Sequence, residues 1–388
     1  MFNEPILFLT VAGLCLLGYW ILPATSPRAR GGWLIFCSMW LLAAIAPQAL
    51  LVALGMTALT FVVSRLFDYW RSKWLLFAAI GGLVAITLQV EHIADATAES
   101  DAGLLLTLGL AFVLLKSIGM LVDAYLDGDR LQPDHMLLLN IFFPIHAAGP
   151  IELPSAVSRS ALSVQRIGVE DVTTGLRRMV LGWFKLAFLS AVLLDYVNVG
   201  WAQITTDPLL YSPLSLYAHT ALGFFIIYIN FSGYCDIAIG FSRLLGLNIT
   251  ENFDKPWLAH NVENFWQRWH RTLGRFIYRN LYAPGARQGW RHEPMIVLAF
   301  VLIGLWHHLS LPFLIWGLAN GLGFAWARWM DRASRKGPDW WQHLRASLPY
   351  RIFAMWLTIS FLAVVSRFAR LPDIEIGFTY IGGLLGWR

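Results

Sequence analysis

Charged residues are scarce in this chain: Asp, Glu, Lys and Arg together make up 14% of its 388 residues, where soluble domains carry about 25%. Cysteine is scarcer still, with Cys15, Cys37 and Cys235 as the full complement. All three fall in apolar segments and none forms a CxxC pair, which excludes a disulfide framework and gives no metal-ligand spacing, zinc included. The N-terminus Met1-Phe-Asn-Glu4 lacks the basic region of a cleavable signal, so the first apolar run, from Pro5 to Pro23, is expected to be retained as a span. Internal repeats and low-complexity tracts are missing too. What fills the chain instead is apolar: 57% hydrophobic residues, a mean hydropathy of +0.57, and nineteen tryptophans with twelve tyrosines, the rings that collect where chains cross lipid–water interfaces.

Apolar segments lie near 5–23, 32–47, 49–64, 74–90, 103–122, 178–201, 214–241, 294–309, 312–330 and 350–366. A spanning helix takes about 20 apolar residues. The expected fold is therefore all-α, a polytopic integral membrane protein of roughly ten transmembrane helices. Stretches near 136–153 and 262–283 are expected to re-enter the membrane without crossing it. One membrane domain over 1–388 is expected, with N-terminal spans to 100, a core over 101–330 and a C-terminal span and tail beyond.

The net charge of +5 does not indicate nucleic acid, because the basic residues lie between apolar spans, where they act as topology signals and meet lipid headgroups. Region 243–291 carries eight Lys/Arg and region 328–351 carries six, whereas loop 91–101 carries only acidic charge. The positive-inside rule then places these basic regions in the cytoplasm and the N-terminus outside. Arg367 and Arg370 fit that pattern badly.

Within the apolar run from Pro294 to Trp326 the only ionisable residues are His307 and His308. An ionisable side chain at membrane depth marks a functional site by default. The run reaches only to Leu309 before Ser310-Leu-Pro312 turns the chain, so the turn is expected to be submerged, with His307 at the floor of a depression. Imidazole there can act as a general base; the competing reading is a core histidine bonded to a carbonyl. His308 points about 100° away on the helix, so it is not expected to share that role.

A second histidine, His270, closes Asn264-Phe-Trp-Gln-Arg-Trp-His270. At 100° per residue, Arg268, Arg271, Arg275 and Arg279 form one stripe opposite His270 and Trp266. This reads either as an interfacial helix holding lipid phosphates or as arginines that bind a polyphosphate ligand. Lys116 and Asp236 are further polar groups inside apolar runs. Lys116 either snorkels to the boundary or is functional; Asp236 is expected to partner a cation or a tryptophan N–H. Cys235 as an acyl-bearing nucleophile lacks an adjacent base. The prolines and glycine of Phe142-Phe-Pro-Ile-His-Ala-Ala-Gly-Pro-Ile151 break any continuous helix, giving either an ordinary loop or a cavity lining.

Phe143-Pro-x4-Gly149-Pro-Ile151, Gly233-Tyr-Cys-Asp-Ile-Ala-Ile-Gly240, Asn264-Phe-Trp-x-Arg-Trp-His270 and Gly304-Leu-Trp-His307 stand in the order and spacing of the membrane-bound O-acyltransferases. The chain resembles the bacterial branch of that family, which contains the alginate O-acetylation protein and the D-alanine transfer protein of teichoic acids. The resemblance covers roughly 100 to 330. It departs at His308, where the family usually has glycine, and at Cys235, where serine is common.

The resemblance implies a tunnel through the protein, His307 as the essential membrane-embedded histidine and His270 as the second histidine on the intracellular side. It implies a bacterial inner membrane location and no bound cofactor, with an acyl thioester such as acetyl-CoA as donor. An extracytoplasmic acyltransferase partner would modify a polysaccharide or cell-wall glycan. On this reading Trp306 shapes the pocket, Trp266, Trp269, Asn264 and Asp236 contact substrate, and Arg268, Arg271, Arg275 and Arg279 hold the CoA phosphates. Direct acylation of a lipid or lipid-linked sugar, a proton-coupled transporter and an inactive scaffold are the competing readings.

Overall fold

A computed structural model describes residues 5–23, 25–96, 101–128, 132–152 and 167–387. Among the described residues there are helices and loops but no strand. This is the outcome lipid imposes on long apolar runs, because a helix satisfies its own backbone hydrogen bonds. The chain is an all-helical membrane protein.

Each of the ten apolar segments is helical. The first five are α1 (Pro5–Ile21), α2 (Pro27–Ile45), α3 (Pro47–Leu66), α4 (Lys73–Ala96) and α5 (Asp101–Leu126). The 178–201 segment is not one regular helix. It enters through α8 (Val169–Trp183), passes a π-helical stretch at Phe184–Ser190, and continues as α9 (Ala191–Thr206). Then come α10 (Pro213–Leu244), α14 (His292–His307), α15 (Leu311–Ser334) and α17 (Leu348–Phe368). Among the described residues, five helices are long and apolar enough to cross a membrane, and Ile6–Ile21, His292–His307 and Ile374–Leu384 are shorter apolar helices. The last, α18 (Ile374–Leu384), was not among the ten expected segments.

Helix starts follow local chemistry. Proline occupies the first turn of α2, α3, α15 and α17, where its missing N–H has no helical partner to lose. Ser347 and Asp373 accept from the backbone N–H groups of Tyr350 and Ile376 at the starts of α17 and α18, at 3.4 and 2.8 Å.

Two compact units form. The first comprises Met1–Gly182 with Tyr234–Glu251, and the second Trp183–Gly233 with Asn252–Arg388. In the first unit the proline-broken segment separates into α6 (Pro133–Ile141) and α7 (Phe143–His146). Side chains of three neighbouring helices satisfy it. Asn140 Nδ2 donates to Thr57 Oγ1 at 2.9 Å and to Ser117 Oγ at 3.2 Å, and the Phe143 N–H donates to Ser38 Oγ at 3.3 Å. Lys116 does not snorkel: it is 2% exposed, and its ammonium donates to the Leu139 carbonyl at 2.8 Å and the Asn140 carbonyl at 3.4 Å. A cation at the C-terminal carbonyls of α6 is favourably placed in the field of that helix. The segment is thus buried in protein, the condition under which irregular backbone is tolerated at membrane depth.

In the second unit α14 and α15 form a tight hairpin turning at Ser310. A Cβ on Gly304 would stand 2.3 Å from the Phe313 carbonyl oxygen, and one on Gly317 would stand 2.5 Å from that of Phe300. Gly321, one turn beyond Gly317, leaves only 2.8 Å to the Val297 Cα. Small residues four apart let two apolar helices approach at backbone distance. That packing fixes the hairpin's tip, where His307 ends α14.

Candidate active site

His270 and His307 both belong to the second unit. Aromatic rings connect them: Trp316 lies 5.5 Å from His307 and 5.8 Å from Trp266, four residues before His270. The single helix expected to carry Arg268, Arg271, Arg275 and Arg279 is broken just before Arg271. It consists of α11 (Val262–Trp266), α12 (Arg271–Ile277) and a π-helical turn at Tyr278–Tyr282. His270 stands at the break with φ of 48°, a conformation uncommon for a residue with a Cβ. Two backbone hydrogen bonds hold the break open: Arg271 N–H to the Asn252 carbonyl at 3.0 Å, and Asp254 N–H to the Arg268 carbonyl at 2.9 Å. The 100° periodicity fails here because the backbone pairs with a distant loop instead of with itself.

Asn252 is the residue that sequence reasoning missed. Its Oδ1 accepts from the Thr272 N–H at 3.2 Å and the Thr272 hydroxyl at 3.0 Å, and it faces His270 Nδ1 at 3.0 Å. An amide oxygen has no proton to give, so Nδ1 carries the hydrogen and Nε2 is the basic nitrogen. His270 is 4% exposed, and Phe231 meets its ring edge to face at 4.8 Å. The only sequence signal for Asn252 was its place in the polar run Thr250-Glu-Asn-Phe-Asp254, eighteen residues ahead of His270.

His307 is exposed and stands among aromatic rings. The Trp306 and Trp316 ring centroids lie 4.6 and 5.5 Å from it, and that of Phe313 lies at 6.2 Å. Trp316 in turn meets Trp266 at 5.8 Å, and Trp266 Nε1 donates to Asn320 Oδ1 at 3.2 Å. The Trp266 segment is therefore anchored to α15, the helix that also supports His307. Trp269 is buried and stacks on Phe224 at 5.8 Å and on Phe265 at 5.4 Å. His308 is also exposed, with Phe313 as its ring neighbour at 5.8 Å.

The four arginines do not share one regular helix. Arg268 lies outside it, donating to Asn264 Oδ1 and to the Asp254 carbonyl, both at 3.2 Å. Arg271 and Arg275 occupy the exposed side of α12, and Arg279 is half-buried on the π-helical turn. Asp236 sits in the first unit, where its Oδ1 accepts from Arg178 Nε at 3.1 Å and from NH2 at 2.7 Å. That is the cationic partner its position called for. Cys235 is buried, with its sulfur 3.9 Å from the Ala148 carbonyl oxygen.

An all-helical chain with several apolar spans and two histidines in an aromatic setting defines a polytopic membrane protein with the makings of an active site. Comparison with known proteins specifies the class. The profile of MBOAT, the membrane-bound O-acyltransferase family, matches residues 140–369, and the chain belongs to that family. It is an acyltransferase. It is 25% identical to the peptidoglycan O-acetyltransferase of Helicobacter pylori over all of this chain and 80% of that protein. It is 24% identical to the teichoic acid D-alanyltransferase of Bacillus subtilis over 59% of this chain and 60% of the relative. Against the probable alginate O-acetylase AlgI of Pseudomonas putida the figures are 29%, 57% and 45%.

Proposed function

We propose that this acyltransferase takes an acyl group, acetyl being the expected one, from a cytoplasmic thioester such as acetyl-CoA. The group leaves on the far side of the inner membrane, with the N-terminus also outside, for O-acylation of an extracytoplasmic glycan. The observation that carries the reading is His270, held by Asn252 in one tautomer, on a segment whose Trp266 meets Trp316 beside His307. The relatives' names, which cite peptidoglycan, alginate and teichoic acid, support a glycan acceptor and an extracytoplasmic partner enzyme.

His307 is the general base. Its imidazole takes the acceptor hydroxyl's proton as oxygen attacks the thioester carbonyl. The carbon–sulfur bond then breaks, and the leaving thiolate takes up the proton. Trp306 and Trp316 limit water around the thioester, which would otherwise hydrolyse. His270 Nε2, with Trp269 and Trp266 beside it, orients the donor. Arg268, Arg271, Arg275 and Arg279, with Asn264 fixing Arg268, meet the donor's phosphates. Asp236 acts through Arg178 in the first unit and not at the reacting atoms.

The test is transfer of labelled acetyl from acetyl-CoA, supplied on the cytoplasmic side of liposomes, to acceptor and partner outside. Wild type is expected to label the acceptor and His307→Ala to lose at least a hundredfold. Equal labelling by both would remove His307 from the chemistry. Absence of thioester consumption by wild type with any acyl-CoA would end the acyl-CoA donor reading.

A further inference from the structure

Between Arg178 and Asp195 the apolar stretch carries one charged residue, Lys185. An ammonium inside such a run is costly, and by default it marks a functional position. Lys185 is half-buried and stands on the π-helical stretch Phe184–Ser190. A π-turn admits an extra residue into the helix and shifts the direction of the side chains on it, and such turns recur at functional sites. No step of the proposed transfer involves Lys185.

Its ammonium meets one face of α10. Lys185 Nζ donates to Ser232 Oγ at 3.1 Å and lies 5.9 Å from the Tyr228 ring centroid, at the outer reach of a cation–π contact. Ser232 is buried and gives its own hydroxyl hydrogen to the Ile229 carbonyl at 3.3 Å, which leaves its lone pairs for the ammonium. Tyr228, Phe231 and Ser232 are three and four residues apart and so share a face of the helix. From that face two rings reach the His270 segment. Phe231 meets the His270 imidazole at 4.8 Å and 89°, and meets Phe253 at 5.1 Å. Tyr228 meets Phe253 at 5.5 Å and Trp269 at 6.2 Å. Phe253 follows Asn252, whose Oδ1 faces Nδ1 of the same imidazole. Every member of this chain of contacts belongs to the second unit.

We propose that Lys185 is a positioning residue for His270: it pins Ser232 and Tyr228, and through them Phe231, so that the imidazole keeps one plane. Asn252 sets which ring nitrogen carries the hydrogen. Phe231 sets the plane of the ring, and therefore where Nε2 points. Edge-to-face pairs supply area and a preferred angle. A hydrogen bond from a cation adds strength and direction, and here it ties α10 to the π-helical stretch at the turn that carries Tyr228 and Phe231. The consequence for catalysis rests on the acyl-transfer reading above; the orientation of the imidazole does not.

The experiment separates the two. Full-length protein carrying isotope-labelled histidine is placed in nanodiscs, and solid-state NMR reads its imidazole nitrogens, with His270 assigned by its loss in His270→Asn. Wild type is expected to show one narrow His270 signal, protonated at Nδ1. Lys185→Met is expected to broaden or split it. The same variant is expected to lower kcat with acetyl-CoA at least tenfold, because a misplaced group costs rate, while KM moves less than threefold. Lys185→Arg keeps a cation and a donor and is expected to recover most of both. Should Lys185→Met fail to fold, judged by thermal unfolding, Ser232→Ala removes only the acceptor and is expected to reproduce the change in part. An unshifted His270 signal in folded Lys185→Met, or in Ser232→Ala where the first variant fails, overturns the proposal. So does Lys185→Arg that loses as much as Lys185→Met, or a rise in KM in place of the fall in kcat, which would make Lys185 a donor-binding cation. A His270 signal that responds as expected in a protein that consumes no thioester leaves the positioning role standing and sinks the acyl-transfer reading alone.

Discussion

Asn252 Oδ1 faces His270 Nδ1 at 3.0 Å while also accepting two hydrogen bonds from Thr272. One amide oxygen thereby sets both the tautomer and the orientation of an imidazole that sits at a left-handed backbone position. The same Asn252 accepts Arg271 N–H through its own carbonyl, so backbone and side chain fix the break together.

Asn252→Ala is expected to lower acyl transfer by on the order of 100-fold, because a free imidazole samples both tautomers and several rotamers. Asn252→Asp retains an acceptor at Oδ1 and is expected to recover much of the rate. Initial rates of thioester consumption distinguish them, and equal losses in both variants would refute the tautomer argument.

Gly304→Ala places a methyl 2.3 Å from the Phe313 carbonyl oxygen. Backbone cannot yield as a flexible side chain does, so α14 and α15 must separate and His307 must move. Activity is expected to fall at least tenfold, since about 1 Å of misplacement can cost 100-fold. Gly274→Ala is the control: nothing lies within 4 Å of its Cβ, and it sits on an exposed helical face. It is expected to raise stability by about 0.5–1 kcal/mol. Thermal unfolding in detergent and activity, measured side by side, check both.

Arg178→Ala withdraws the guanidinium that meets Asp236, whose side chain is only 8% exposed. The expected loss is about 1–3 kcal/mol, below the range for fully buried pairs because Arg178 is itself 25% exposed. Glu251→Ala touches the exposed partner of the same arginine and is expected to cost less than about 1 kcal/mol. Arg178→Ala with Asp236→Ala together should cost less than the sum of the two singles. A strictly additive thermal cycle would contradict the pairing.

Lys116→Met keeps the length of the side chain but withdraws the donor from the Leu139 and Asn140 carbonyls. The Asn140 carbonyl keeps the His146 Nδ1 hydrogen bond at 2.9 Å, so the expected cost of about 1–3 kcal/mol comes from the Leu139 carbonyl left buried and unmet. The broken segment around Phe142 is expected to loosen first. Hydrogen exchange of α6 and α7 reads this directly, and unchanged protection would show that Lys116 does not hold them.

The ten apolar runs and the proline-driven break near Phe142 were legible because composition and length alone force helices in lipid. The stop at Ser310-Leu-Pro312 was legible for the same reason, and so was His307 as the ionisable group where apolar sequence should have none. α18 escaped because eleven residues fall short of the length that marks a span. The arginine stripe over 268–279 was misread as one regular helix, since periodicity assumes a backbone that bonds to itself, and here residues 252–254 capture it.

The sequence by itself determined the all-helical membrane class, the family, and which histidines to examine, because these follow from local composition and from residues close together in the chain. Only the tertiary structure decided that Asn252 orients His270 and that glycines weld α14 to α15 under His307. Those relationships join residues far apart in the chain. They arise where packing brings backbone, ring and charge within a few ångströms, which no window along the sequence contains.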